Sequence, residues 1–333
     1  MSLSGIIALP YGARLLCLCL ATGAAGYAAG AAAVEVATPG LLRRLRARQN
    51  RAPEMAARQA LRLRMLPLAL AALAALVLCV PSYLWLEPRH RGPEAMSWMC
   101  CALALAGAGL AGWMLLRLAQ LGVASWCYSL RVRRQGRRQR VGGAWVRVLA
   151  APAPAMAVSG WLRPQLSVSQ PVLAGLSEAE LEAGLEHERA HVATRDNLKR
   201  LLLAAAPLAG GKARALERRW ARMVEWAADD RAAGASPERS LALAEALVAV
   251  AKLGTAPECS LRAPWVLTLA GQPGPELAER IARLLAHAGE EGRTAAPPRR
   301  QWLGYAVLAA VLWATLQPTT LMAAHVVLER LVH

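Results

Sequence analysis

The sequence predicts a mainly α integral membrane protein, with about four transmembrane helices and a cytoplasmic α+β domain in which a helix lies beside a small β-sheet. Three observations lead there. Of 333 residues, 56% are hydrophobic, too many for an ordinary soluble enzyme, and they gather into four long apolar runs. The net charge of +17 sits in arginine clusters that flank alternate ends of those runs. Between the third and fourth runs stands His187-Glu188-Arg189-Ala190-His191, whose histidines, four apart, would share one face of a helix.

The first run covers Leu15 to Ala33, the second Met65 to Trp85 and the third Trp98 to about Leu121, with Arg117 late in it. The fourth covers Trp302 to Val327 and contains Gln317-Pro318. Each is about long enough to cross a hydrocarbon core of ~30 Å at ~1.5 Å per residue. The Ala-rich first and third runs would also suit buried helices of a soluble protein, the Leu- and Val-rich second run less so. Gly26-Tyr-Ala-Ala-Gly30 and the glycines from Gly107 to Gly112 suit close helix packing, expected within one molecule. This divides the chain into a three-helix membrane region (1–125), a soluble domain (126–300), and a last membrane helix with a short tail (301–333).

The arginines orient it. Arg43, Arg44, Arg46, Arg48, Arg51, Arg58, Arg62 and Arg64 separate the first two runs, and Arg131, Arg133, Arg134, Arg137, Arg138 and Arg140 follow the third. The loop from Glu87 to Glu94 carries only Arg89 and Arg91 against two glutamates. By the positive-inside rule the N-terminus lies outside and the soluble domain faces the cytoplasm, in a multi-pass protein of the inner membrane. The clusters are expected to meet anionic membrane lipid, not nucleic acid. Cleavage of the first run as a signal peptide would leave the first arginine cluster outside, against that rule. Seven cysteines show neither zinc-finger nor redox spacing and are expected to be packing residues.

Past the third run a basic hinge leads to short stretches, Trp145 to Leu149, Ala151 to Ser159 and Leu162 to Ser169, separated by Pro and Gly. They predict two or three brief strands, with an edge that could hold an extended peptide by backbone pairing. Ser177-Glu178-Ala179-Glu180 is a capping box, starting a helix that carries both histidines on to about Leu203. Pro207 and Gly210-Gly211 stop it. A helix from Lys212 to Ala233 follows, then one from Ser236-Pro237 to about Leu253, then an amphipathic helix from Pro275 to His287.

Chemistry concentrates on two of these helices. His187 and His191 can hold one metal ion, and Glu225, 34 residues further on, supplies a third ligand and leaves a fourth position open, as catalytic Zn2+ sites require. Glu188 lies beside the ion without binding it, placed to take a proton from a bound water. Asp229, one turn after Glu225, can accept a hydrogen bond from a ligand histidine's other ring nitrogen. Asp196 follows His191 by five residues. Set against this, Glu225 and Asp229 stand among Arg218, Arg219, Arg222 and Arg231 and would otherwise suit a solvated helix face.

The stretches Gly160-Trp-Leu-Arg-Pro-Gln-Leu-Ser-Val-Ser, Leu176-Ser-Glu-Ala-Glu-Leu, HERAHVATRDNL, Glu225-Trp-Ala-Ala-Asp-Asp and Glu279-Arg280-Ile281 together resemble the BlaR/MecR-type membrane zinc peptidases. More distantly they resemble the HtpX and CaaX-prenyl-protease gluzincins. The likeness spans roughly Trp145 to Leu285 and the three-helix prelude. It implies a gluzincin metalloprotease domain, with Zn2+ on His187, His191 and Glu225 and with Glu188 as general base. The protein would be a zinc metalloendopeptidase, a hydrolase cutting a cytoplasmic or membrane-proximal protein. Ala228 stands where that family usually has Cys, at a position that is not a ligand. The family's penicillin-sensor domain would follow the last membrane helix, where about six residues remain after Val327, so β-lactam sensing is not expected. A signal relay through a partner repressor, an HtpX-like quality-control protease and a non-catalytic scaffold are the other roles. Arg231, His287 and Tyr305 are the candidates for stabilising the oxyanion. His90, His325 and His333 have no expected partners.

Overall fold

The computed structural model describes residues 7–48, 52–88, 94–151, 154–208, 211–253, 267–268, 274–289, 309–311 and 313–332. Strand β1 (Ile7–Leu9) leads into α1 (Tyr11–Arg48). Helix α2 (Pro53–Ala72) continues through a π-helical segment (Leu73–Cys79) into α3 (Val80–Leu86). Strand β2 (Glu94–Met96) pairs antiparallel with β1 and precedes α4 (Trp98–Gln135). Among the described residues, three helices, Tyr11–Ala47, Pro53–Leu86 and Trp98–Gln135, are each long and apolar enough to cross a membrane. This agrees with the first three apolar runs.

The helices outlast those runs. Residues 43–48 close α1 and residues 53–64 open α2, so most of the expected basic loop is helical. The reason is composition: Ala, Leu, Met and Arg are all strong helix formers, whatever solvent surrounds them. Arg64 departs from its expected place against lipid. It is buried, its Nε donates to Glu217 Oε1 at 2.7 Å, and its Nη2 donates to the carbonyls of Ala206 (2.7 Å) and Leu203 (3.3 Å). Gly26, Gly30 and Gly107 pack closely within the molecule as expected, whereas Gly109 and Gly112 have nothing within 4 Å. A Cβ at Gly26 or Gly30 would strike the backbone of residues 66–71, and one at Gly107 would strike the Leu20 carbonyl.

After α4, β3 (Arg137–Val141), β4 (Ala144–Leu149), β5 (Met156–Ser159), β6 (Gln165–Ser169) and β7 (Leu267–Thr268) form a sheet in the order β3-β4-β6-β5-β7. The β4–β6 pair is parallel and the others antiparallel. The expected basic hinge is itself strand β3, turned back onto β4 by Gly142 and Gly143 at φ +52° and +73°, the left-handed pair that a tight hairpin needs. Arginines on that exposed edge discourage pairing with other chains.

After α5 (Gln170–Gly175) come α6 (Glu178–Thr194), α7 (Asp196–Ala205), α8 (Gly211–Ala233), α9 (Pro237–Lys252) and α10 (Pro275–Ala288). The Ser177 capping box forms with both of its hydrogen bonds. The one expected helix from Ser177 to about Leu203 is two, broken at Arg195, which adopts φ +53°. Sheet residues Val146, Met156 and Val168 share a core with Leu181 and Leu185 of α6, Leu243 and Leu247 of α9, and Leu284 of α10. A second core joins Val34 and Leu45 of α1 and Ala56 and Ala60 of α2 to Leu216, Trp220 and Met223 of α8.

Of the expected fourth run, residues 302–308 lie outside the described residues. The rest forms α11 (Ala309–Thr315) and α12 (Pro318–Val332), bent by 61°. Pro318 opens α12, because proline has no N–H to continue a helix but suits a first turn.

Candidate metal centre

Helices α6 and α8 bring the expected ligand residues together. His187 Nε2 lies 3.1 Å from His191 Nε2, and Glu225 Oε2 lies 3.6 Å and 3.8 Å from those two nitrogens. A tetrahedral centre with bonds of about 2.0–2.1 Å holds its ligand atoms about 3.3 Å apart. The three atoms therefore have the spacing of ligands around one ion and fit a metal. Both histidines are buried, and Glu225, 18% exposed, keeps the trio's main exposure.

Each histidine has its own carboxylate at the other ring nitrogen. His187 Nδ1 lies 2.9 Å from Asp229 Oδ1, and His191 Nδ1 lies 3.0 Å from Asp196 Oδ2. With the proton held on Nδ1, both Nε2 atoms present lone pairs to the centre. The break at Arg195 is what lets Asp196 reach back. A straight helix would carry residue 196 off the histidine face, whereas the left-handed turn redirects α7. Asn197 then ties α7 to the sheet by donating to the carbonyls of Val158 and Gly160, both at 3.1 Å. Thr194 and Lys199 also donate to Asp196.

Burial and charge set the protonation states of the metal-free site. Burial pulls His191 down, but Asp196 and Glu225 outweigh it and push the imidazole up to about 9. His187 is raised too, by Asp229 and Glu225 acting against burial. Burial pushes Glu225 up, yet the two histidines and Arg280 hold it well below the usual carboxylate range. Asp229 is likewise lowered against its burial, chiefly by Arg280. Glu188 behaves differently. It is fully buried, burial raises it to about 7, and neither of its oxygens has a hydrogen-bond partner among the described residues.

Arg280, which the sequence left without a role, joins this cluster. Buried on α10, it donates from Nε to Asp229 Oδ2 (2.8 Å) and from Nη2 to Asp229 Oδ1 (2.6 Å), and its Nη1 lies 3.4 Å from Glu225 Oε2. The available signal was its register. Arg280 falls between Leu277 and Leu284 on the buried face of an amphipathic helix, where a charge requires a partner. Arg200 donates to Glu225 Oε1 at 3.2 Å.

Of the three expected oxyanion candidates, the two that are described have carboxylate partners outside the ligand trio. Arg231 pairs with Glu54 at 2.9 Å, His287 Nδ1 lies 3.6 Å from Asp230 Oδ1, and Tyr305 lies outside the described residues. The chain matches no protein-family model, no curated protein and no solved structure.

Proposed function

We propose that this chain is an integral-membrane zinc endopeptidase of the gluzincin type, akin to the BlaR/MecR membrane peptidases. It would cut a cytoplasmic or membrane-proximal protein from the cytoplasmic side of the inner membrane. The observation that carries this reading is Glu188: a fully buried carboxylate with two unpartnered oxygens, one residue from His187, in a three-ligand cluster of spacing 3.1–3.8 Å. A carboxylate pays several kcal/mol to be desolvated without a partner. Such a group persists where chemistry needs it. The arginine clusters support the orientation.

His187, His191 and Glu225 would hold the zinc, which when bound polarises the scissile carbonyl and lowers the pKa of water. Glu188 would accept the proton from the attacking water and deliver it to the leaving amine. Asp229 and Asp196 fix the two imidazoles in the tautomer that leaves Nε2 free. Arg280 neutralises Asp229 and steadies Glu225.

Glu188→Gln tests the assignment. The variant should retain zinc, while hydrolysis of proteins captured with it from native membranes falls by about 10²–10⁴-fold, the usual contribution of a general base. Undiminished proteolysis by the variant would sink the proposal. A single captured substrate would indicate a dedicated signalling role, and many misfolded ones a quality-control role.

A further inference from the structure

His325 was expected to have no partners, yet it sits between two carboxylates. Its Nε2 lies 3.8 Å from Glu87 Oε2 and 3.6 Å from Glu329 Oε1. The three ligand atoms all lie within 4.8 Å of one another. Helix α12 carries His325 and Glu329 four residues apart on one face, and Glu87 caps the C-terminus of α3. Ser82 Oγ donates to the Leu321 carbonyl at 3.2 Å, and Leu328 enters the core formed by Leu18, Cys79 and Tyr83. The contact of α12 with the other helices is thus built on both sides of the trio.

We propose that Glu87, His325 and Glu329 form a second site, for a divalent cation of the zinc class. The first argument is spacing. Gaps of 3.6 and 3.8 Å exceed the ~2.7–3.2 Å of a hydrogen bond, yet they repeat the 3.6 and 3.8 Å separations around Glu225 at the first centre. Groups that were merely hydrogen-bonded would close further. The second is orientation. Arg14 Nη2 donates to Glu87 Oε1 at 2.7 Å, and Arg14 Nε donates to Tyr83 Oη at 2.8 Å, with Tyr83 in turn donating to the Tyr11 carbonyl at 3.0 Å. This chain of buried contacts holds one oxygen of Glu87 and turns the other toward His325.

The third argument is charge. Glu87, 6% exposed, faces Arg14, and His325, 17% exposed, stands between it and the half-exposed Glu329, so a further positive charge offsets what gathering the two carboxylates costs. One imidazole nitrogen with two carboxylate oxygens is a donor set that Zn2+ accepts, with room left for water. Arg14 precedes Tyr27, where α1 meets the Pro207 carbonyl beyond α7, by 13 residues, or about 20 Å of helix. The second site thus belongs to the far end of the bundle. There a bound cation would staple α12 to α3, independently of any peptidase activity.

The test uses the full chain in detergent micelles, with Zn2+ as the probe and metal content measured after gel filtration. Wild type should hold two equivalents. The His187→Ala/His191→Ala protein should keep one, and adding Glu329→Gln or His325→Gln should remove it. Glu329 is half exposed, so Glu329→Gln is compatible with folding, which the thermal unfolding transition checks. If the doubly substituted first centre proves unstable, Glu329→Gln alone should take wild type from two equivalents to one. A single equivalent in wild type that is lost with His187→Ala/His191→Ala, or a second one that survives both substitutions in α12, overturns the proposal and leaves the peptidase reading intact. Loss of catalysis on Glu188→Gln with both equivalents present separates the two proposals from the other direction.

Discussion

Arg280 and the carboxylates around it form a charge-balanced cluster whose parts cannot be removed singly without cost. Replacing Arg280 with Met leaves Asp229 and Glu225 buried beside one fewer cation. Breaking a buried pair in this way typically costs about 3–5 kcal/mol, which would appear as a lower unfolding midpoint in the metal-free protein. Asp229→Asn leaves buried Arg280 short of its partner and should also lower the unfolding midpoint, and it should lower zinc affinity about 10–100-fold, the usual effect of losing a histidine's orienting partner, as measured by competition with a chelator. The protonation pattern also sets a pH dependence. His191 is raised from its usual 6.5 to about 9 and Glu188 from 4.5 to about 7, so the folded metal-free site holds protons that the unfolded chain has already released. Stability from these two groups is therefore present at low pH and lost as pH climbs from about 4.5 through 9. Zinc competes with the histidine protons. The rise in Tm on adding zinc should be larger at pH 8 than at pH 6, and equal increments at both would contradict the imidazole assignment.

Helix α4 presents one glycine to α1 and others to open space, which makes a paired comparison. Gly107→Ala puts a Cβ into the Leu20 carbonyl, whereas Gly109 has nothing within 4 Å. Gly107→Ala should destabilise by about 1–3 kcal/mol through overpacking. Gly109→Ala should be neutral or stabilise by up to about 1 kcal/mol through helix propensity. Thermal melts of the two variants in the same micelle read the difference. The Arg195 turn makes the complementary point, since a non-glycine residue in the left-handed region costs roughly 1–2 kcal/mol. The Asp196 and Asn197 contacts justify that cost by holding α7 to His191 and to the sheet.

The long apolar helices and the sheet-and-helix part that follows share a core. Leu216, Trp220 and Met223 of α8 are covered by α1 and α2, and Arg64 of α2 satisfies the last carbonyls of α7 as well as Glu217. The same helix α8 holds Glu225 and Asp229, so the candidate metal centre is seated partly on α1 and α2. A fragment of residues 126–300 alone should expose that apolar face and elute as aggregate in gel filtration. A monodisperse fragment with bound zinc would show that the shared core is dispensable.

Much of this was legible in local pattern. The spacing of His187 and His191, the capping box at Ser177 and the E-x-x-x-D spacing of Glu225 and Asp229 all concern residues within about one or two helical turns. There, periodicity alone decides which side chains share a face. The apolar runs announced the spans for the same reason. Strand β3 and the helical parts of the basic stretch were hidden because arginine suits a loop, an edge strand or a helix equally well. Asp196 was visible, but its role depended on the reversal at Arg195. Arg280 to Asp229, Arg64 to Glu217 and His325 to Glu87 join residues 51, 153 and 238 positions apart, pairings that no spacing rule addresses. Local chemistry settled which residues could serve a metal. The packing of distant helices settled which charges they would be buried with, because a buried charge is tolerated only where another element supplies its partner.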